Sequence, residues 1–164
     1  MNGKLKRKLF LWSSKLRFSL SEVVSPISDS IGSEIIYRCN VRPSKIRKLF
    51  YWYDLDDIKL LSDENIGMPE ISLVHQYKLI TVCRLVERKG LLELVHAISR
   101  IRKRGYDCGL MIVGDGPIKV ELETEIEKLG LEEHVLLTGH VKNPYYFMKI
   151  SDVFVLNSEF EGTP

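Results

Sequence analysis

Residues 77–117, YKLITVCRLVERKGLLELVHAISRIRKRGYDCGLMIVGDGP, decide the fold of this chain. Apolar runs at 79–83 and 110–113 are typical of buried strands. Between them, apolar residues recur at helical spacing and Gly105 is placed to end the helix. The helical apolar positions are Leu91, Leu94, Val95, Ile98 and Ile101. A strand, a helix and a strand in this order predict a βα unit with parallel strands.

The same alternation continues towards the carboxyl terminus. Pro117 suits the first position of a second helix, and Gly130 is its stop. Its buried stripe is Ile118, Leu122, Ile126 and Leu129. Strands are predicted at 135–137 and 153–156, with a short helix at 145–150 opened by Asn143 and Pro144. The pattern predicts an α/β fold with a doubly wound parallel sheet.

The first third of the chain gives a weaker pattern. We predict a strand at 22–25, a helix at 28–38, another strand at 48–53 and a polar, irregular connection at 54–76. No internal repeat or low-complexity tract interrupts the chain.

Composition excludes several classes of function. The chain has 164 residues, 45% of them hydrophobic, which is typical of a soluble globular protein. A formal net charge of +2 is too small to indicate a nucleic-acid partner. The apolar run Leu9 to Trp12 is too short for a secretory signal, and no stretch has transmembrane length.

A local basic excess precedes the first acidic residue, Glu22. Apolar side chains such as Phe10, Trp12 and Phe18 lie among these cations. The segment fits either an anionic membrane surface or a solvated basic helix face. The cations are Lys4, Lys6, Arg7, Lys8, Lys15 and Arg17.

Three cysteines, Cys39, Cys83 and Cys108, form no CxxC pair and are odd in number. They therefore predict neither a zinc site nor a disulfide framework. We expect all three cysteines to be small, buried hydrophobic side chains, and the protein to work in a reducing cytoplasm.

Arg84 and Lys89 are the first candidate site residues. Both lie at the junction of a strand and a helix, where open α/β sheets bind ligands. There, two cations can converge on one polyphosphate, with Arg84 as the bidentate partner and Lys89 as a point charge. The alternative is that both are solvated surface charges.

Two glycine-containing segments also follow strands. A dinucleotide fingerprint starting at Gly114 would require glycine at position 119, where the chain has Lys119. We therefore expect a tight turn at 114–116 into the second helix, with Asp115 capping it. Near the end of the chain, Gly162 would let backbone amides approach a phosphate. Glu161 would accept hydrogen bonds from sugar hydroxyls. The alternative is that this segment is a plain turn.

Together, these segments resemble glycosyltransferase family 4, whose retaining enzymes have the GT-B fold of two Rossmann-like domains facing a cleft. The resemblance is weaker upstream, at 24–28 and 45–55. The motifs that carry it are Cys83-Arg84-Leu85 through Lys89-Gly90, Val113 to Pro117, Leu129-Gly130-Leu131, Val135 to Gly139, Ser151 to Leu156, and Ser158 to Pro164.

The resemblance implies a role for each site residue. Arg84 and Lys89 would hold the diphosphate, and His140 and Val141 would lie near the nucleotide base. Glu161 would be the catalytic-site residue that holds the donor sugar, as the first glutamate of a Glu-x7-Glu motif, with Gly162 beside it. The donor substrate would be a nucleotide-diphospho-sugar, and neither a metal nor another cofactor is expected.

The chain departs from the family pattern in three places. Cys83 replaces the usual glycine, and Tyr51 to Tyr53 replace an Asn-Gly-Val segment. The second glutamate of the motif would fall beyond Pro164. We therefore expect a partial GT-B donor domain: 1–55 as a remnant of the acceptor domain, 56–76 as the interdomain linker and 77–164 as the first half of the donor domain.

The resulting functional hypothesis is a fragment of a sugar transferase that is inactive alone. It would transfer a sugar with retention to a glycan or lipid-linked acceptor in cell-surface polysaccharide synthesis. It would work in the cytoplasm, or peripherally at the inner face of the membrane. The alternatives are a non-catalytic nucleotide-sugar-binding subunit completed by a second polypeptide, and a nucleotide-binding regulatory domain.

Overall fold

A computed structural model describes residues 3–50, 52–64, 66 and 75–161. The chain divides into two compact units. The first consists of residues 1–52 and 161–164, and the second of residues 53–160.

In the first unit, helices α1 (Gly3–Leu20) and α2 (Asp29–Cys39) precede a short 3-10 turn, Pro43–Lys45. The predicted helix at 28–38 is confirmed as α2. Ser28 caps it, because its hydroxyl oxygen accepts a hydrogen bond of 3.3 Å from the Ile31 amide. None of the helices among the described residues is long and apolar enough to cross a membrane.

The two strands predicted in this unit are wrong. Among the described residues, the first predicted strand keeps one isolated parallel bridge, between Val24 and Ile46, and the second, at 48–53, has none. The amides of Arg47 and Leu49 donate to the carbonyl oxygens of Val24 and Pro26, so the two segments do run side by side. Pro26 has no N–H to return a bond, which interrupts the ladder.

The connection expected at 54–76 is also partly wrong, because residues 55–63 form helix α3 (Leu55–Asp63) of the second unit. The Asp54 carboxylate caps α3 by accepting from the amides of Asp56 and Asp57. At the other end of the helix, Asn143 donates 2.7 Å to the Leu61 carbonyl oxygen. These caps and contacts stabilise a helix that the polar sequence did not indicate.

The second unit contains a four-stranded parallel sheet of order β3-β2-β1-β4. This order confirms the doubly wound α/β fold. The strands are β1 (Tyr77–Val82), β2 (Cys108–Val113), β3 (Val135–Gly139) and β4 (Val153–Phe154). The chain winds outwards from β1 to β3 and then returns to the other side of β1, so the topological switch point lies between β1 and β4.

Three helices follow the strands: α4 (Leu91–Lys103), α5 (Lys119–Lys128) and α6 (Pro144–Lys149). The first two of these predicted helices bury their apolar stripes against one face of the sheet, at side chains such as Val95, Ile98 and Leu122. On the other face, Phe147 of α6 packs with Ile80, Met111 and Val113. Burial on both faces explains the continuous apolar runs of β1 and β2.

Two element boundaries differ from the prediction. Helix α5 begins at Lys119 and not at Pro117, because Gly116 to Ile118 form a turn in which the Lys119 amide donates to the Gly116 carbonyl oxygen. Strand β4 has two residues where four were expected, and only the Val155 amide continues its pairing, to Ile80.

Candidate functional site

The carboxyl ends of β1, β2 and β3 enclose a cleft of about 420 Å3. Three predicted site residues, Arg84, His140 and Val141, are among its lining residues. Arg84 and His140 are exposed, whereas Val141 is half-buried. The complete lining is Val82, Cys83, Arg84, Val113, Gly114, Asp115, His140, Val141 and Pro144. Open α/β sheets bind their ligands at this edge, so the fold brings these three residues to the expected place.

Backbone hydrogen bonds hold the walls of the cleft together. The Cys83 amide donates 3.0 Å to the Val113 carbonyl oxygen, and the Leu85 amide donates 2.9 Å to that of Asp115. Gly114 has a φ of 142°, and a Cβ there would lie 1.9 Å from the Cys83 carbonyl oxygen. Only glycine allows the loops after β1 and β2 to approach this closely.

Asp115 acts on the turn and not on the following helix. Its carboxylate accepts 2.7 Å from the Gly116 amide, which agrees with the tight turn that was expected. The expected capping of the second helix by Asp115 is wrong, because the first turn of α5 has no side-chain cap. The Asp115 carboxylate therefore stabilises the floor of the cleft.

The loop after β4 is tied to the loop after β1 at the switch point. The Asn157 side-chain amide donates 2.8 Å to the Gly90 carbonyl oxygen, and the Glu159 amide donates 3.0 Å to that of Arg88. Gly90 has a φ of 61°, and a Cβ there would lie 2.4 Å from the Asn157 carbonyl oxygen. Sequence reasoning missed Asn157, although its position just after a predicted strand was a signal.

Lys89 ends the 3-10 turn Glu87–Lys89 and is half-buried beside Gly90. Arg84 and Lys89 therefore lie at opposite ends of the loop after β1, and Arg84 is the one that lines the cleft. Glu161 is exposed and belongs to the first unit. Gly162 lies outside the described residues. The functional roles of these residues stay predictions.

A charged cluster occupies the opposite, amino-terminal edge of the sheet. His75 Nδ1 lies 2.7 Å from Asp107 Oδ1, and the Gln76 amide donates 3.0 Å to Asp107 Oδ2. The His75 hydrogen bond, followed by that of Gln76, lowers the pKa of Asp107 to about 2. Burial lowers the pKa of the neighbouring His134. Because this cluster joins the starts of strands, its role is structural.

None of Cys39, Cys83 and Cys108 forms a disulfide bond among the described residues. Cys108 is buried as expected, whereas Cys39 and Cys83 are only half-buried. Within the described ranges, no group of three or more His, Cys, Asp or Glu side chains is arranged to hold a metal ion.

A doubly wound parallel sheet with a cleft at the carboxyl ends of its strands defines the class of open α/β proteins, which bind ligands at that edge of the sheet. Within that class, a family model described as Glycosyl transferases group 1 matches residues 69–164. The chain therefore belongs to the group 1 glycosyltransferase family.

Two similar proteins illustrate this relationship. An uncharacterized glycosyltransferase of Methanocaldococcus jannaschii is 34% identical over 113 residues, which cover 68% of this chain and 28% of that protein. The second is the N-acetylgalactosamine-N,N'-diacetylbacillosaminyl-diphospho-undecaprenol 4-alpha-N-acetylgalactosaminyltransferase of Campylobacter jejuni. It is 30% identical over 147 residues, covering 90% of this chain and 38% of its own length.

Solved structures share the fold. The pneumococcal O-GlcNAc transferase GtfA, in complex with UDP and GlcNAc, has a TM-score of 0.72 at 20% sequence identity. The match covers 93% of this chain and 28% of the GtfA chain. TarM of S. aureus has a TM-score of 0.70 at 18% identity, over 87% of this chain and 26% of its own. The fold is that of GT-B glycosyltransferases, and the chain spans less than half the length of each of these proteins.

Proposed function

We propose that this chain supplies part of the donor site of a retaining glycosyltransferase. The donor is a nucleotide-diphospho-sugar, and the acceptor is a glycan or a lipid-linked glycan of cell-surface polysaccharide synthesis. The observation that carries the proposal is the position of Arg84, in a cleft at the carboxyl end of β1. Two similar proteins support it, because one was solved in complex with UDP and the other is a transferase named for a diphospho-undecaprenol acceptor.

In this proposal, cations replace a metal ion at the leaving group. Negative charge develops on the nucleoside diphosphate as the glycosidic bond breaks, and fixed positive groups stabilise that charge. The Arg84 guanidinium suits bidentate binding of phosphate oxygens, and Lys89 adds a second positive charge on the same loop. His140 and Val141 form the part of the cleft that takes the nucleotide base, and Glu161 and Gly162 take the sugar.

Cys83 offers a direct test of nucleotide binding, because it lines the cleft. Alkylation of each cysteine by iodoacetamide is followed by mass spectrometry, with and without UDP. We expect UDP to slow the alkylation of Cys83 and to leave that of Cys39, an equally half-buried thiol of the first unit, unchanged. Equal rates for Cys83 with and without UDP would contradict the proposal.

The membrane part of the proposal rests on helix α1. Its exposed apolar side chains include Phe10 and Trp12, which are 65% and 64% exposed. The cations Lys8, Lys15 and Arg17 are also exposed. Apolar side chains together with cations suit the anionic surface of a cytoplasmic leaflet, where a lipid-linked acceptor would be presented.

Vesicle binding tests the membrane part separately. In a Trp52→Phe variant, Trp12 is the one remaining indole, since the chain has two tryptophans. We expect its emission to shift to the blue with anionic phosphatidylglycerol vesicles, to a smaller extent in high salt, and not with neutral phosphatidylcholine vesicles. An unchanged spectrum with anionic vesicles would mean that α1 does not bind the membrane and is a solvated or protein-facing helix.

The alternative of a subunit completed by a second polypeptide has one supporting observation. Strand β4 is at the edge of the described sheet, and its Val153 and Phe154 are each 48% exposed. An exposed apolar edge is a template for another strand. Under this alternative the cleft still binds the nucleotide, but turnover requires a partner that pairs with β4.

A further inference from the structure

Ser158 lies in the loop after β4 and has an unsatisfied hydroxyl group. Its oxygen is buried, and it has no hydrogen-bond partner among the residues that the structure describes. Leaving a buried hydroxyl unpaired destabilises the folded chain, so native proteins seldom retain one without a reason. A ligand that supplies the missing partner is such a reason.

The neighbours of Ser158 fix its position relative to the loop after β1. On one side, the Asn157 amide group donates to the Gly90 carbonyl oxygen, and on the other, the Glu159 backbone amide donates to that of Arg88. Ser158 is therefore held between two hydrogen bonds against the turn that contains Lys89. This turn is at the switch point of the sheet.

We infer that the Ser158 hydroxyl is a further donor-binding group, which donates a hydrogen bond to a phosphate oxygen of the nucleotide diphosphate. The inference rests on the proposed function. A hydroxyl rotates freely and can donate to whichever acceptor arrives. A bond to an anionic phosphate oxygen is stronger than one between neutral groups, and it would remove the cost of the unpaired hydroxyl on binding.

The first arm of the test measures stability without ligand. Ser158→Ala removes an unpaired hydroxyl, so its melting temperature should equal or exceed that of the wild type. Ser151→Ala is the matched control, because its hydroxyl donates 2.7 Å to the Phe147 carbonyl oxygen and its removal should lower the melting temperature. A loss for Ser158→Ala as large as that for Ser151→Ala would show that the hydroxyl is already satisfied, and would overturn the inference.

The second arm measures the affinity of the same 164-residue chains for UDP by calorimetry. We expect Ser158→Ala to bind about tenfold more weakly than the wild type, the size of one charge-assisted hydrogen bond, and Ser151→Ala to bind like the wild type. Equal affinity of Ser158→Ala and the wild type would overturn this inference alone. No UDP binding by the wild type would overturn the proposed function itself, and the inference with it.

Discussion

The Asn157 side-chain amide donates a hydrogen bond of 2.8 Å to the Gly90 carbonyl oxygen, across the switch point of the sheet. This bond joins the end of β4 to the turn that starts helix α4. The two residues are 67 positions apart in sequence, so their contact depends on the order of the strands. It fixes the part of the backbone from which Lys89 and Ser158 extend.

Gly90→Ala should destabilise the chain more than Gly130→Ala. Both glycines have a left-handed backbone, with φ of 61° and 64°. A Cβ at position 90 would lie 2.4 Å from the Asn157 carbonyl oxygen, whereas nothing lies within 4 Å of one at position 130. We expect a cost of about 1 to 2 kcal/mol at Gly130 from the backbone alone, and a larger cost at Gly90. Urea denaturation of both variants measures the difference, and equal costs would mean that the two loops are not in close contact.

Asn143→Ala should weaken the attachment of helix α3 to helix α6. The buried Asn143 side chain donates to the Leu61 carbonyl oxygen and to the Glu64 carboxylate, and it accepts from the Tyr145 amide at the start of α6. Losing this cap and these bonds should cost about 1 to 3 kcal/mol. Hydrogen exchange should show the amides of α3 losing protection first. Unchanged protection in α3 would contradict the role given to Asn143.

The charged cluster at the amino-terminal edge of the sheet should make the stability of the fold depend on pH below about pH 4. Because the pKa of Asp107 is lowered to about 2 in the folded chain from an ordinary 3.8, its ionised form stabilises the fold above pH 4. This contribution is lost as the pH falls from about 4 to about 2. Asp107→Asn should melt at a lower temperature than the wild type at pH 7, and the two melting temperatures should converge towards pH 2. Parallel curves over this range would show that Asp107 contributes no such linkage.

Sequence reasoning was most successful where local pattern decides structure. The alternating apolar runs and helical stripes predicted β1, β2, α4 and α5, because burial on both faces of a parallel sheet imposes that pattern. Gly114 was predicted at a tight turn because few other residues suit such a backbone. The placement of Arg84, His140 and Val141 at one sheet edge followed from the family resemblance and from strand direction.

Prediction failed where the local structure depends on residues that are far away in the sequence. Helix α3 depends on Asn143, far along the chain, and the strand expected at 22–25 does not extend its pairing because Pro26 has no N–H to donate. Likewise, the contact between Asn157 and Gly90 requires that β4 return beside β1. The unpaired hydroxyl of Ser158 is a property of packing, which no sequence pattern reports.

The central claim is that Arg84 binds the diphosphate of a nucleotide sugar. The most direct measurement is the affinity of Arg84→Ala for UDP by titration calorimetry, with Arg100→Ala as control. Arg100 is an exposed arginine of α4 that does not line the cleft, so its removal changes the net charge equally. We predict that Arg84→Ala loses about 1.5 to 3 kcal/mol of binding free energy and that Arg100→Ala binds like the wild type. Equal affinity for UDP in all three chains would contradict the account.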